Sequence, residues 1–525
     1  MKKCILGFMI FIMIFLNGCI EKKVSVVPEG STANDFLVYD MDEIPEDLVQ
    51  LSSTKVRDRD LLLALFEGLV RTDENGDIVP GIAESWTIGQ DGINYIFKIR
   101  DDAKWSDGTE IRAQNFVDFF KDILSPNSNN IYSYQLYSIF GAEDYKRGNK
   151  TFDNVAIKAN DDNTLQIRLN APANNFLDIL SQPVYTLRKV DKDLSNYKQA
   201  YKNIVYSGPF GINGISETGD INLTKNKYYY GQEEVRCERL YITSSGSSEK
   251  ALASFETGKI NVFVNPPVNE SKNLIENGEG QTIPINSGSS INFNLNKQGI
   301  INNVKFRNSL SLAIDRETLV KEYLDNTAVS ASAYVKDDDK NKVKPLINES
   351  GDVALAQKLL EESGYGDKKE KIKFIYLDST ENKKLCENIV KDIKQTIGVS
   401  IEAVSYNEDE FSEAVKSGNY HMAKVDYNST YNDSISFLEP WISTSKFNIY
   451  GYKSSEFDNL ILKAKREKDS LKRKDLINKA EELLINDMPS IPLYFHNIVL
   501  CKKSNIEGIY ITKEGNIKLD RAYIY

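Results

Sequence analysis

The chain has 525 residues, too many for one hydrophobic core, so at least two domains are expected. Its 41% hydrophobic and 27% charged residues are ordinary for a soluble globular protein, and a net charge of −11 argues against nucleic acid as a partner. Only two histidines occur, His421 and His496, and with the scattered cysteines they form no zinc spacing, so neither a metal nor a cofactor is expected.

At the N-terminus Lys2 and Lys3 precede an apolar run from Ile5 to Leu16, followed by Leu16-Asn17-Gly18-Cys19. A basic start, a short apolar run and a small residue before the cut are the parts of a signal peptide. The run falls short of the roughly 20 apolar residues that a membrane span needs. Leu-Asn-Gly-Cys resembles a bacterial lipobox, which implies lipid modification of Cys19 and a body anchored outside the cytoplasm. An uncleaved anchor helix is the alternative. Glu21 to Asn34 is polar and reads as a tether. Cys237, Cys386 and Cys501 are odd in number and far apart, so they read as buried apolar residues, not a disulfide framework.

Phe36–Tyr39 is a strand candidate, and Arg59–Val70 reads as a buried helix ended at Gly68. Thr72–Asp77 is a turn, with Asn75-Gly76 as a hairpin signal. Tyr95, Phe97 and Ile99 alternate with polar residues, as in a half-buried strand, and Asn115–Leu124 places Phe116, Phe119, Phe120 and Ile123 on one side of a helix. Asp352–Gly364 carries an acidic cap, Ala356, Leu359 and Leu360 inward, and a closing glycine. Phe457–Pro489 has one long helical pattern.

Four pieces in this order carry a resemblance: Ile78-Val-Pro-Gly-Ile-Ala-Glu-Ser-Trp86, Asp91-Gly-Ile-Asn-Tyr-Ile-Phe-Lys-Ile-Arg100, Lys104-Trp-Ser-Asp-Gly-Thr109, and the phenylalanine-rich helix. Together they resemble the signature of the solute-binding proteins of ABC peptide transporters, the oligopeptide- and dipeptide-binding family. Ser207-Gly-Pro-Phe210, Lys225-Asn-Lys-Tyr-Tyr229, Ala253–Ile260, Ala313–Arg316 and the ending Asp487-Met-Pro-Ser-Ile-Pro-Leu-Tyr494 extend it over nearly the whole mature chain. The departure lies at the start, where the usual Glu-Pro-x-x-Leu-Asp-Pro is reduced to Asp42-Glu-Ile-Pro-Glu-Asp-Leu48. The resemblance implies an α/β fold of the periplasmic-binding-protein type (cluster C), two lobes joined by a hinge with an additional third domain. The expected division is a signal peptide at 1–18, a tether at 19–34, a discontinuous lobe I at 35–71, 184–286 and 489–525, an additional domain II at 72–183, and lobe III at 287–488.

The stretch Tyr420–Trp441 starts as a strand and turns polar, and Asp433 is placed like a helix cap before Phe437-Leu438. It resembles the family's Tyr-Asp-Met…Gly-Trp-x-Ala-Asp-Tyr-Pro-Asp-Pro-x-x-Phe-Leu. Aligned without gaps, Tyr427 takes the tryptophan position and Thr430 that of the first aspartate. In peptide-binding relatives that aspartate pairs with the ligand α-ammonium, so the resemblance puts ligand contacts at Asp426, Tyr427, Asn428, Ser429, Thr430 and Tyr431, with a hydroxyl where a carboxylate is usual. At about 3.3 Å per residue Asp426 would lie about 13 Å from Thr430, so it could replace it only with a shifted ligand register or a gapped alignment that puts Asp426-Tyr427 in the aspartate-tyrosine role.

A nucleophilic site needs a base within reach, Gly-x-Ser-x-Gly is absent, and two distant histidines make no His-Glu-x-x-His, so no catalytic residue is expected. The function implied is an extracytoplasmic, lipid-anchored binding protein on the outer face of the cytoplasmic membrane. It would be a monomer delivering peptides to an ABC permease and ATPase. The alternatives are the same fold with a non-peptide or N-blocked ligand, or a sensor without transport.

Overall fold

A computed structural model describes residues 36–49, 56–325, 327–336, 346–367 and 370–525. The signal peptide, the tether and Cys19 lie outside the described residues.

Two long strands organise the molecule. Gly280–Phe293 and Ser490–Lys502 run antiparallel and pair twice: Gly280–Pro284 against Asn497–Cys501, then Gly288–Asn292 against Ser490–Phe495. The ladder is irregular between Pro284 and Gly288, where proline has no N–H to give. On one side of this break the sheet continues through Val262–Val264, Leu37–Asp40, Arg239–Thr243, Ile221–Lys225 and Phe210–Ile215. On the other it continues through Met422–Asn428, Ile372–Leu377 and Ile401–Tyr406. The result is an α/β fold built on one sheet that serves two bodies.

Two large cores lie on opposite sides of the break. One gathers Leu37 to Ile285 with the C-terminal Ile498 to Ala522, and the other gathers Ile291 to Tyr494. A separate four-stranded antiparallel sheet, Ala83–Ile88, Asn94–Ile99, Thr164–Arg168 and Ile157–Asp161, adjoins the first core. Tyr95, Phe97 and Ile99 are buried, as their alternation predicts, and helix Ala113–Ile123 turns Phe116, Phe119, Phe120 and Ile123 inward.

Local signals hold at several places. Asp352 accepts from the Leu355 N–H, and Gly364 closes Val353–Ser363 at φ 72°. Gly76, at φ 86°, turns the hairpin between Val70–Thr72 and Ile78–Pro80. All three cysteines of the body are free and buried.

Three expectations need correction. The helix read as Arg59–Val70 is Asp58–Leu65, closed by the Phe66 N–H on the Leu62 carbonyl. The Gly68 and Leu69 carbonyls instead accept from Ile82, Gly81 and Ala83, and Val70 joins a strand, so sheet pairing outcompetes the last helical turn. The pattern over Phe457–Pro489 is two helices, Ser455–Arg466 and Ser470–Asp487, because Asp469 caps the second through the Lys472 N–H. In Val353–Ser363 only Ala356 is buried; Leu359 and Leu360 are half-buried.

Candidate functional site

The strand Met422–Asn428 pairs with Ser287–Phe293 over its full length. On its other side, among the described residues, the ladder with Ile372–Leu377 spans only Phe374 with Met422 and Ile375 with Ala423. From Lys424 onward that edge carries no ladder. A free strand edge offers alternating N–H and C=O groups to an extended chain.

Along this edge the side chains are charged. The buried Lys424 ammonium donates to both Asp426 oxygens at 2.8 Å, and His496 Nε2 lies 3.3 Å from Asp426 Oδ1. Burial opposes both charges, and the pairing wins: Lys424 is held above the usual lysine range, and Asp426 well below the carboxylate range. Asp426 therefore already has a counter-charge in Lys424.

The other expected residues divide. Tyr427 packs its ring edge-on to Phe437, and among the described residues its buried hydroxyl has no partner. Asn428 ends the strand. Ser429 is buried and bonds the Tyr431 carbonyl and the Ser436 hydroxyl, a structural use that holds the turn. Thr430 Oγ1 accepts from Gln135 Nε2 at 2.9 Å, and Tyr431 Oη from Asn175 Nδ2 at 3.1 Å, both bonds reaching across to the first body. Asp433 accepts from the Ile435 N–H at 2.8 Å and from Arg473 at 2.6 Å, but the N-cap of the short helix Ile435–Leu438 is Ser434, one residue later than expected, so Asp433 holds the turn just before the helix.

Thr430 and Tyr431 also wall a cavity of about 20 Å³ between the two bodies. The opposite wall is Arg71, Thr72, Gln182 and, from the C-terminal hairpin, Thr512, Glu514, Asn516 and Lys518. Sequence reasoning missed Lys424, Gln135, Glu514, Asn516 and His496 as neighbours of this site. Only Lys424 had a local signal, since residues two apart on a strand share a face.

The middle region of the bacterial extracellular solute-binding proteins, family 5, matches residues 77–448. The chain belongs to this family. It is an extracellular solute-binding protein and not an enzyme. Among its relatives, the dipeptide-binding protein DppE of Bacillus subtilis (strain 168) is 29% identical over 472 residues, 87% of this chain and 86% of the relative. The oligopeptide-binding protein OppA of the same organism is 28% identical over 485 residues, 87% of each. The "probable deoxycholate-binding periplasmic protein" YgiS of Escherichia coli (strain K12) is 26% identical over 85% of each chain. The oligopeptide-binding protein OppAIV of Borrelia burgdorferi superposes with a TM-score of 0.81 at 25% identity, covering 93% of this chain and 100% of that one. The murein tripeptide-binding protein MppA of Escherichia coli does so at 0.80 and 22%, covering 94% and 99%. The α/β fold with two lobes and a third domain is thus that of the peptide-binding proteins. Among the described residues, no helix is long and apolar enough to cross a membrane.

Proposed function

We propose that this protein captures peptides between its lobes and hands them to the permease of an ABC importer. The observation that carries this reading is the strand edge that, among the described residues, carries no ladder from Lys424 to Asn428 and runs on to Thr430 and Tyr431, which bridge the two bodies. An extended peptide would add to that edge main chain to main chain, which is indifferent to side-chain identity. The names of DppE and OppA point the same way. The name of YgiS points to a ligand that is no peptide, so the ligand itself has to be measured.

The division into lobe I (35–71, 184–286, 489–525), domain II (72–183) and lobe III (287–488) is part of the proposal, supported by the two cores and by the ladder break at Pro284–Gly288. That break would be the hinge, since the ladder between the two long strands that join both bodies is interrupted there. Lipid attachment at Cys19, with the body as a monomer on the outer face of the cytoplasmic membrane, rests on the lipobox resemblance. Asp426, Tyr427, Asn428, Thr430 and Tyr431 are the proposed ligand contacts, with Ser429 shaping the turn.

Native mass spectrometry of the purified full-length protein, followed by denaturing release, tests the ligand class. A ladder of masses fitting short free peptides is expected. A single non-peptide mass, with no thermal stabilisation by any peptide pool, would sink the reading.

A further inference from the structure

One end of the first body gathers where the chain enters it. Phe36 precedes the strand Leu37–Asp40, which runs parallel to Arg239–Thr243 and Val262–Val264, so these three strands start at one edge. Ile221–Lys225 and Ser490–Lys502 run against them and end there. The Lys503 N–H donates to the Asn261 carbonyl at 3.1 Å, the Asn261 N–H to that of Val38 at 2.9 Å, and the Tyr525 N–H to that of Asn505 at 3.0 Å. This edge is the end of the first body away from the second. The strand that ends in Lys502 begins in the second core and leaves the ladder break at Asn497, about 17 Å earlier at about 3.3 Å per residue.

The charge at this edge runs against that of the whole chain, which is −11. Four exposed cations, Lys227, Arg236, Arg239 and Lys259, make no ion pair among the described residues, against two such acids, Glu233 and Glu256. Glu238, Glu279 and Glu507 are already taken, by Lys225 at 3.3 Å, Lys503 at 2.9 Å and Lys502 at 3.5 Å.

An independent feature lies beside these cations. Tyr525 is 68% exposed, and Ile275, which lies against Gly280 where its strand meets Cys501, is 37% exposed. Tyr523 is half-buried and carries the Arg236 guanidinium over its ring at 4.6 Å. Exposed rings and methyls among unpaired cations suit the headgroup layer of a bilayer, where the apolar groups enter the boundary and the cations meet lipid phosphates. The chain outside the described residues points to the same occupant. Cys19 and Phe36 are 17 residues apart, a span of at most about 60 Å, and the tether joins the body at this edge.

We propose that this edge is the face on which the anchored protein rests against anionic lipid. This deepens the lipid-anchored reading given above and rests on it. Resting there puts the first body at the membrane and the second away from it, with the boundary between them held off the lipid. The cations then act as a second membrane signal beside the lipid on Cys19.

The cysteines of the body are buried, so one added cysteine can carry a fluorophore. The acylated protein is labelled at Ser504→Cys on this edge or at Glu402→Cys on the outer strand of the second body. It is placed in vesicles of phosphatidylcholine, alone or with a third of phosphatidylglycerol, that contain a headgroup-labelled quencher lipid. Quenching at position 504 is expected to rise at least threefold with phosphatidylglycerol, while position 402 stays unchanged. The rise should vanish at about 0.5 M NaCl, where the Debye length shrinks to about 4 Å. Arg236→Glu combined with Arg239→Glu should abolish it and leave peptide affinity unchanged.

No rise at position 504, or an equal rise at 402, overturns the face and leaves the anchor standing when mass spectrometry finds lipid on Cys19. So does a rise that persists in high salt or in the double variant; should that variant fail to fold, the salt series on wild type decides alone. A rise that appears only when a permease and its ATPase share the vesicle also overturns the face, because the edge then docks on protein. If Cys19 carries no lipid, the anchored reading falls, and the face with it.

Discussion

Lys424 and Asp426 stand two residues apart on one strand and close on each other, the ammonium donating to both carboxylate oxygens at 2.8 Å. The pair is asymmetric: the Lys424 side chain is 4% exposed and that of Asp426 48%. The lysine is the partner that cannot turn to water, so the main duty of Asp426, with His496 Nε2 3.3 Å from its Oδ1, is to keep a buried cation satisfied. An aspartate so committed is poorly available to a ligand amine.

Asp426→Asn therefore costs stability through Lys424. Breaking a fully buried pair costs about 3–5 kcal/mol, and the exposure of Asp426 reduces this to about 1–3 kcal/mol. With Asp426 gone, burial alone acts on Lys424 and depresses its pKa. A base with a depressed folded pKa loses stability as pH falls through that value, so the deficit should shrink at pH 10 relative to pH 7. Urea unfolding of both proteins at the two pH values checks this; a deficit independent of pH would contradict it.

Gly288 sits at the inner end of the ladder break, against the proposed ligand strand. A Cβ there would meet Tyr427 Oη at 2.5 Å, Tyr427 Cζ at 2.6 Å and the Tyr494 carbonyl at 3.0 Å. The tyrosine can swing away but the carbonyl cannot. Gly288→Ala should cost about 1–3 kcal/mol by overpacking and displace Tyr427 from Phe437. Thermal unfolding and ligand affinity should fall together; unchanged affinity would show that Tyr427 is not a ligand contact.

The legible parts of this fold are those decided by neighbours in sequence. The strand Met422–Asn428 follows from alternation, Val353–Ser363 from its Asp352 cap and Gly364, and the Gly76 hairpin from its turn residues. The break at Glu467–Asp469 carries no proline or glycine, and its only marks are the polar run from Lys465 to Ser470, which interrupts the apolar periodicity, and the Asp469 cap. The site divides in the same way. Thr430 and Tyr431 were legible from a motif, whereas Gln135, Glu514 and Asn516 reach them from distant parts of the chain. No periodicity encodes such a meeting, which exists only once two bodies close on each other.

The cysteines give a plain test of burial. Burial pushes the thiol of Cys237 up to about 11 and those of Cys386 and Cys501 up to about 12. The thiolate is the reactive form, so at pH 8 all three should resist a disulfide-exchange reagent in the native protein and react together on denaturation. Stoichiometric labelling of the native fold would refute the packing of Cys386 against the core of the second body.

Asp178 should make the stability of the two-body arrangement pH-dependent. Burial first, then Asp433 and Glu514, raise its pKa to about 7, with Arg473 as the opposing charge. Asp433 lies in the segment that follows the strand Met422–Asn428, while Asp178 lies on a helix whose Phe176 and Leu180 enter the other core, so their repulsion acts across the boundary. The folded value lies above the unfolded value of about 3.9, so the group's contribution is fully present below about pH 4 and is lost as pH rises through about 7. The thermal midpoint of the ligand-free protein should therefore fall more steeply between pH 5 and 8 in wild type than in Asp178→Asn, by roughly 2–4 °C if about 1 kcal/mol is recovered. Arg473→Met should steepen the fall, because it leaves Asp433 without its 2.6 Å partner. Scanning calorimetry of the three proteins across that range decides the matter, and parallel curves for wild type and Asp178→Asn would mean that the two carboxylates do not meet in solution.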